Sequence, residues 1–276
     1  MLSIFSYEFM RRAFLTGILL AVIVPCIGLV VVLKRLSMIG DALSHTALAG
    51  VALGLVLGIN PVLGAMGACI VSAFGIEAIR KRLKFSETSI AIIMSAGIGL
   101  AGVLSDFARG ANFNSFLFGS IVAISSFETL IATIVSVMVM LAFILLYKEL
   151  FYISLDERGA RLAGVPVKAV NFIFTMLTAV TVSIASRTVG ALIVSSLMVV
   201  PVACAMQLGR SFKQTLVFSV AFSVFFMVAG LFVSYYAGLK PGGTIALLGV
   251  ASFCLVSVAK SVFTKILRLR RQEANG

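Results

Sequence analysis

The chain has 276 residues, 61% of them hydrophobic and 12% charged, with a mean hydropathy of +1.17. Soluble domains carry about 25% charged residues, and a water-soluble fold this apolar would expose patches large enough to aggregate. The net charge of +12 comes from basic residues set between apolar runs. They read as loop charges that meet anionic lipid, which speaks against a nucleic-acid-binding surface.

A helix needs about 20 apolar residues to cross a hydrocarbon core about 30 Å thick. Runs of this kind fall at 13–33, 44–59, 61–79, 88–105, 127–147, 168–186, 188–208, 213–237 and 243–263. The expectation is an all-α polytopic membrane protein of about nine spans, with eight or ten also compatible with the same runs. The second run is short and glycine-rich, and the chain must turn tightly at Asn60-Pro61. The stretch from Asn114 to Ser125 is apolar but too short to cross, so it reads as a re-entrant piece or half of a broken helix. No cleavable signal peptide and no tail long enough for a soluble domain are expected, which makes residues 1–276 one transmembrane domain.

Basic clusters at Lys34-Arg35, Arg80-Lys81-Arg82 with Lys84, Lys148 to Lys168, Arg210 with Lys213, and Lys265 to Arg271 all fall on one side of nine spans. The positive-inside rule makes that side cytoplasmic and puts the N-terminus outside, in a multi-pass protein of the cytoplasmic membrane. Arg11 and Arg12 break the pattern and are expected to snorkel. Gly50, Gly54 and Gly58 share one helix face, a spacing that lets backbones approach either within the chain or between two copies. Cys26, Cys69, Cys204 and Cys254 lie far apart in apolar runs and read as buried free thiols.

The residues with chemistry to offer are few. Asp41 and His45, the single histidine, open the second run at spacing i, i+4. On a helix they share a face one turn apart. A carboxylate and an imidazole so placed suit one divalent ion, zinc above all but also manganese or iron. Ionisable side chains inside a span are costly and normally mark a hydrated route. Two ligands suit a transient site better than a structural one. The competing reading has Asp41 as a helix N-cap and His45 packed on a polar neighbour.

The segment Leu155 to Pro166 is the longest polar stretch between spans. Its acidic residues lead, its arginines follow, and Gly164 and Pro166 close it, the charge order of a short capped helix. Leu155, Leu162 and Ala163 could give that helix an apolar stripe for a groove on a soluble partner, or the segment is a solvated loop. Arg187, between two spans, is expected to act as an interfacial anchor, with Asp106 as an alternative partner. Pro201 should kink its helix.

These segments, in this order, resemble the permease subunit of the ATP-binding-cassette importers that take up zinc, manganese or iron. The matching stretches are Leu33 to Gly58 (LKRLSMIGDALSHTALAGVALGLVLG), Phe116 to Ser120 (FLFGS), Leu155 to Gly164 (LDERGARLAG), Val189 to Ala205 (VGALIVSSLMVVPVACA) and Ser234 to Ile245 (SYYAGLKPGGTI). The resemblance covers almost the whole chain and implies an importer permease fold with a cytoplasmic coupling helix.

It further implies a second permease copy, two cytoplasmic ATP-binding subunits and an extracytoplasmic metal-binding protein. Asp156, Glu157, Arg158, Gly159, Ala160, Arg161, Leu162, Ala163 and Gly164 would form the coupling helix seated in the ATPase. Asp41 and His45 match positions held to meet the metal in passage, and no permanently bound cofactor is implied. The opening SYEFMRRAF and the run Leu117 to Ser125 look most like zinc-specific members. With no second histidine, further ligands must come from the paired subunit, the binding protein, water or backbone carbonyls.

The expected function is therefore ATP-driven import of a divalent transition metal, zinc first and manganese or iron as alternatives. A permease for a chelated metal, siderophore- or cobalamin-like, would use the same plan without Asp41 and His45. An ion-driven transporter would need more intramembrane carboxylates than Asp41, Glu77 and Glu128. The chain has no GxxxxGK[ST] phosphate loop, no HExxH and no GxSxG, so an ATPase or intramembrane hydrolase is not expected.

Overall fold

A computed structural model describes residues 7–82, 86–107, 125–191 and 193–273. The apolar runs form helices because lipid offers no partner for backbone N–H and C=O groups. In chain order these are α1 (Glu8–Leu33), α2 (Ile39–Leu57), α3 (Pro61–Arg82), α4 (Ser86–Phe107), α5 (Ser126–Leu145), α6 (Tyr147–Leu155), α7 (Glu157–Leu162), α8 (Val167–Thr188), α9 (Val194–Leu208), α10 (Phe212–Ala237) and α11 (Pro241–Glu273). Among the described residues there is no strand. Among the described residues, eight helices are long and apolar enough to cross a membrane, and α9 is a shorter apolar one. The expected nine-run pattern is thus eight long helices plus a short one. The re-entrant reading of Asn114 to Ser125 falls, apart from Ser125, outside the described residues.

Helices α1 and α8 are the most buried of the bundle, while α4 and α11 present most of their surface outward. The core is continuous, from Leu20, Ile27 and Val31 of α1 through Leu43 and Ala47 of α2 to Phe174 and Val182 of α8 and Phe226 of α10. Helix α2 is clasped by α3 and α4 and also touches α8 and α9.

Two turns set the frame. Gly58 ends α2 at φ +68°, in the left-handed region that glycine enters at no steric cost, and Ile59 N–H returns to the Gly54 carbonyl at 2.9 Å. Asn60 Oδ1 then accepts from Val62 N–H at 2.9 Å, with Pro61 at the first helical position of α3. The result is the tight α2–α3 hairpin that Asn60-Pro61 foretold. The glycine row faces inward across this hairpin: a Cβ on Gly50 would sit 2.4 Å from the Gly64 carbonyl oxygen. Gly50 and Gly54 therefore serve packing within the chain.

Helix α9 has 15 residues, about 22 Å at 1.5 Å each, short of a crossing. Val189, Ala191 and Ile193 before it are buried, and Gly190 takes φ +111°. Non-helical backbone at such depth is tolerated only where protein surrounds it. The helix runs on through Pro201. Cys26, Cys69 and Cys204 are buried as expected, but Cys254 is exposed on the outer surface of α11.

Candidate functional site

Asp41 lies in the first turn of α2, where a negative charge is favoured by the helix dipole. It does not cap the helix, because the N-cap position is Met38 and no side chain fills that role. The capping alternative is removed. Asp41, His45 and Leu48 are half-buried at spacing i, i+4, i+7, while Ala42, Leu43, Ser44, Thr46 and Ala47 around them are buried. One stripe of α2 therefore stays open, and the two ionisable side chains lie on it. Among the described residues, neither side chain has a hydrogen bond or ion pair. A packed histidine would have taken a polar neighbour.

The backbone around the pair is already committed. Ser44 Oγ donates to the Asp41 carbonyl at 3.0 Å, and the Leu43 carbonyl accepts from both Thr46 Oγ1 at 2.9 Å and Cys69 Sγ at 3.3 Å. Helix α9 closes the approach from one side: a Cβ on Gly40 would meet Ser195 at 3.5 Å and Met198 Sδ at 3.4 Å. Among the described residues, no group of three or more His, Cys, Asp or Glu side chains could hold a metal. Asp41 and His45 remain a pair of potential donors one helical turn apart on the half-open stripe of α2.

Within the Leu155 to Gly164 segment, Glu157–Leu162 form the short helix α7. Asp156 is the N-cap of α7, its Oδ1 accepting from Arg158 N–H at 2.9 Å. Glu157 and Arg161 pair at 3.4 Å along its exposed side. The helix closes with Gly164 at φ +86°. Ala160 is buried against the bundle, while Leu162 is 90% exposed and Leu155 66%. The apolar residues that suggested a docking stripe are thus all exposed, but not on one helix: Leu155 ends α6, Leu162 ends α7, and Ala163 is the C-cap of α7, which is anchored through Ala160.

Sequence reasoning placed Arg187 differently. It pairs with Glu128 at 2.9 Å, not with Asp106, and both side chains are largely buried. Glu128 is available because it starts α5, where it also accepts from Ser125 N–H in a capping box. The pair locks the start of α5 to the end of α8. Glu77, read as a carboxylate near a span end, is buried and 3.7 Å from Arg80.

Lys34 was legible only as one of the loop cations. The structure folds it inward: its Nζ donates to Asn171 Oδ1 of α8 and stands 5.8 Å from the Phe174 ring centroid. Lys34 lies just past the α1 span. Burial, with the Arg80 guanidinium nearby, pushes its ammonium down to about 8, against the opposing pull of Glu157 and Glu77. These contacts gather the ends of α1 and α3, helix α7 and the start of α8 at one end of the bundle.

Such a build suits a membrane permease, a protein that hands cargo along packed helices. The chain belongs to the ABC 3 transport family, which it matches over residues 6–261. It is 36% identical to a probable metal transport system membrane protein of Treponema pallidum, over 91% of this chain and 95% of that one. It is 30% identical to the manganese transport system membrane protein MntC of Listeria monocytogenes, over 91% of this chain and 90% of the relative. With the high-affinity zinc uptake system membrane protein ZnuB of Haemophilus influenzae it shares 28%, over 90% of this chain and 97% of that one. Among solved structures it is similar to PsaBC from Streptococcus pneumoniae in complex with Fab, at 27% identity and a TM-score of 0.81 over 91% of both chains. Relatives named for manganese and for zinc therefore stand side by side. The expected leaning toward zinc-specific members is not reproduced in them.

Proposed function

We propose that this chain is the membrane-spanning subunit of an ATP-driven importer for a divalent transition metal, with Asp41 and His45 meeting the ion in transit. The observation that carries the reading is the half-open stripe of α2, where the one histidine and a first-turn carboxylate lie one turn apart with no hydrogen-bond or ion-pair partner among the described residues. Carboxylate oxygen and imidazole nitrogen together suit zinc and, less selectively, manganese or iron. Zinc is the first choice on the donor set. Manganese is the second, supported by the relative MntC.

In this reading α7 seats in a cytoplasmic ATPase subunit through Leu162 and its neighbours. Two permeases pair over two ATPases, and an external binding protein delivers the metal. The permease itself hydrolyses nothing: the chain has no phosphate-binding loop. Ligands beyond Asp41 and His45 come from the paired copy, the binding protein, water or backbone carbonyls.

The test is metal-limited growth of cells carrying His45→Ala, with zinc, manganese and iron restored separately. Growth should fail and recover with zinc alone. Recovery with manganese alone would overturn the choice of metal. Undiminished growth of an Asp41→Ala, His45→Ala double variant without supplement would remove the role of the pair and favour a chelated substrate.

A further inference from the structure

We propose that Lys34 is a positioning residue for transport: its bond to Asn171 ties the turn leading into α2, the helix of Asp41 and His45, to the helix that follows the ATPase-docking segment. The proposal rests on the importer reading above and goes beyond it by naming the linkage.

The linkage is short. Helix α7 ends at Leu162, α8 begins at Val167, and Asn171 lies one turn further on, 3% exposed. Its Oδ1 accepts from Lys34 Nζ across 137 residues of sequence. Lys34 is the C-cap of α1, and α2 starts at Ile39, two residues before Asp41. A displacement of α7 that moves the first turn of α8 therefore reaches the root of α2 through one charged hydrogen bond.

The turn between α1 and α2 is built to pass such a displacement on. Arg35 N–H donates to the Val32 carbonyl at 3.0 Å and Leu36 N–H to the Val31 carbonyl at 2.9 Å, a closed double-bonded helix end. Arg35 holds φ +57°, a left-handed conformation that a side chain adopts only when its surroundings impose it. A turn pinned in this way does not absorb motion by loosening.

The charges around Lys34 point the same way. Glu157 of α7 and Glu77 of α3 favour its ammonium, and Arg80 of α3 opposes it. Glu157 belongs to the docking helix itself, so a change in the seating of α7 alters the field at Lys34 directly. A cation present only to satisfy the positive-inside bias would stand in solvent, free of a buried amide partner.

The experiment compares the assembled transporter, reconstituted in vesicles with its ATPase and binding protein, as wild type, Lys34→Met, Lys34→Arg and Asn171→Ala. Metal import (zinc, then manganese) and ATP hydrolysis are measured separately, and assembly is checked by co-purification. Lys34→Met and Asn171→Ala should keep their ATPase partner and its hydrolysis, while metal moved per ATP falls at least about tenfold, equivalent to about 1.4 kcal/mol of lost coupling. Lys34→Arg, which keeps the donor and charge, should retain about half or more of the wild-type ratio. An unchanged ratio in Lys34→Met or Asn171→Ala overturns the proposal. So does a proportional loss of import, hydrolysis and assembly, which marks a structural role alone. A wild-type complex that recruits no ATPase and moves neither metal takes down the importer reading and this proposal with it. A wild type that transports alongside an unaffected Lys34→Met takes down only the proposal.

Discussion

Substitution of Gly50 by alanine tests the packing on which the site depends. The added methyl would lie 2.4 Å from the Gly64 carbonyl oxygen, 2.6 Å from Ala68 Cβ and 2.8 Å from Ala65 Cα. Ordinary contact begins near 3.4 Å, so α2 and α3 must part by about 1 Å, and every obstacle is backbone or a Cβ that cannot rotate away. Overpacking of this kind costs about 1–3 kcal/mol. With three obstacles in place the upper half of that range, about 2–3 kcal/mol, is expected. Gly99 is the control: a Cβ there meets nothing within 4 Å, and alanine should change stability by less than about 1 kcal/mol. The assay is reversible unfolding of the purified permease in mixed micelles, followed by helical circular dichroism. A Gly50→Ala variant as stable as wild type, or a Gly99→Ala variant as damaged as Gly50→Ala, would refute the geometry.

Leu162→Asp should abolish co-purification of the ATPase while leaving the unfolding midpoint unchanged, since Leu162 is 90% exposed; loss of stability instead would show that α7 is held by that side chain. Arg187→Met leaves Glu128 without its guanidinium and should cost about 1–3 kcal/mol, measured by the same unfolding assay; an unperturbed midpoint would show the pair to be idle. Lys34 gives a dependence on pH. Its folded value of about 8 lies below the free value of 10.5, so between the two the unfolded chain holds a proton that the folded one has released, and stability rises with pH. The stability of wild type relative to Lys34→Met should therefore grow from pH 8 to about 10; a flat difference would show that burial, with Arg80 nearby, does not hold the Lys34 ammonium down.

The spans were legible because lipid imposes one rule on every segment that crosses it, and the apolar runs report that rule directly. The i, i+4 spacing of Asp41 and His45 likewise needs only helix geometry, and the helix is there. What sequence could not disclose was pairing between distant segments. Nothing near Arg187 in the chain names Glu128, 59 residues away. The loop position of Lys34 suggests solvent, yet Asn171 and Phe174 draw it inward. The glycine row showed that something approaches closely without showing what, and Gly64 supplies the answer. Short elements were also obscured: α6 follows α5 with only Leu146 between them, and its Lys148 and Glu149 read in sequence as the start of a loop.

Where the Gly50 and Gly64 backbones touch, no side chain intervenes to yield or slide. The hairpin of α2 and α3 is in effect one lever, with its fulcrum at the Gly58–Pro61 bend and Asp41 and His45 at its far tip. If the importer reading holds, a change between outward and inward access would swing this lever whole or leave it still and move the rest around it. A cross-link placed between α2 and α3 would accordingly leave a working transporter working, whereas one between α2 and α9 would jam it.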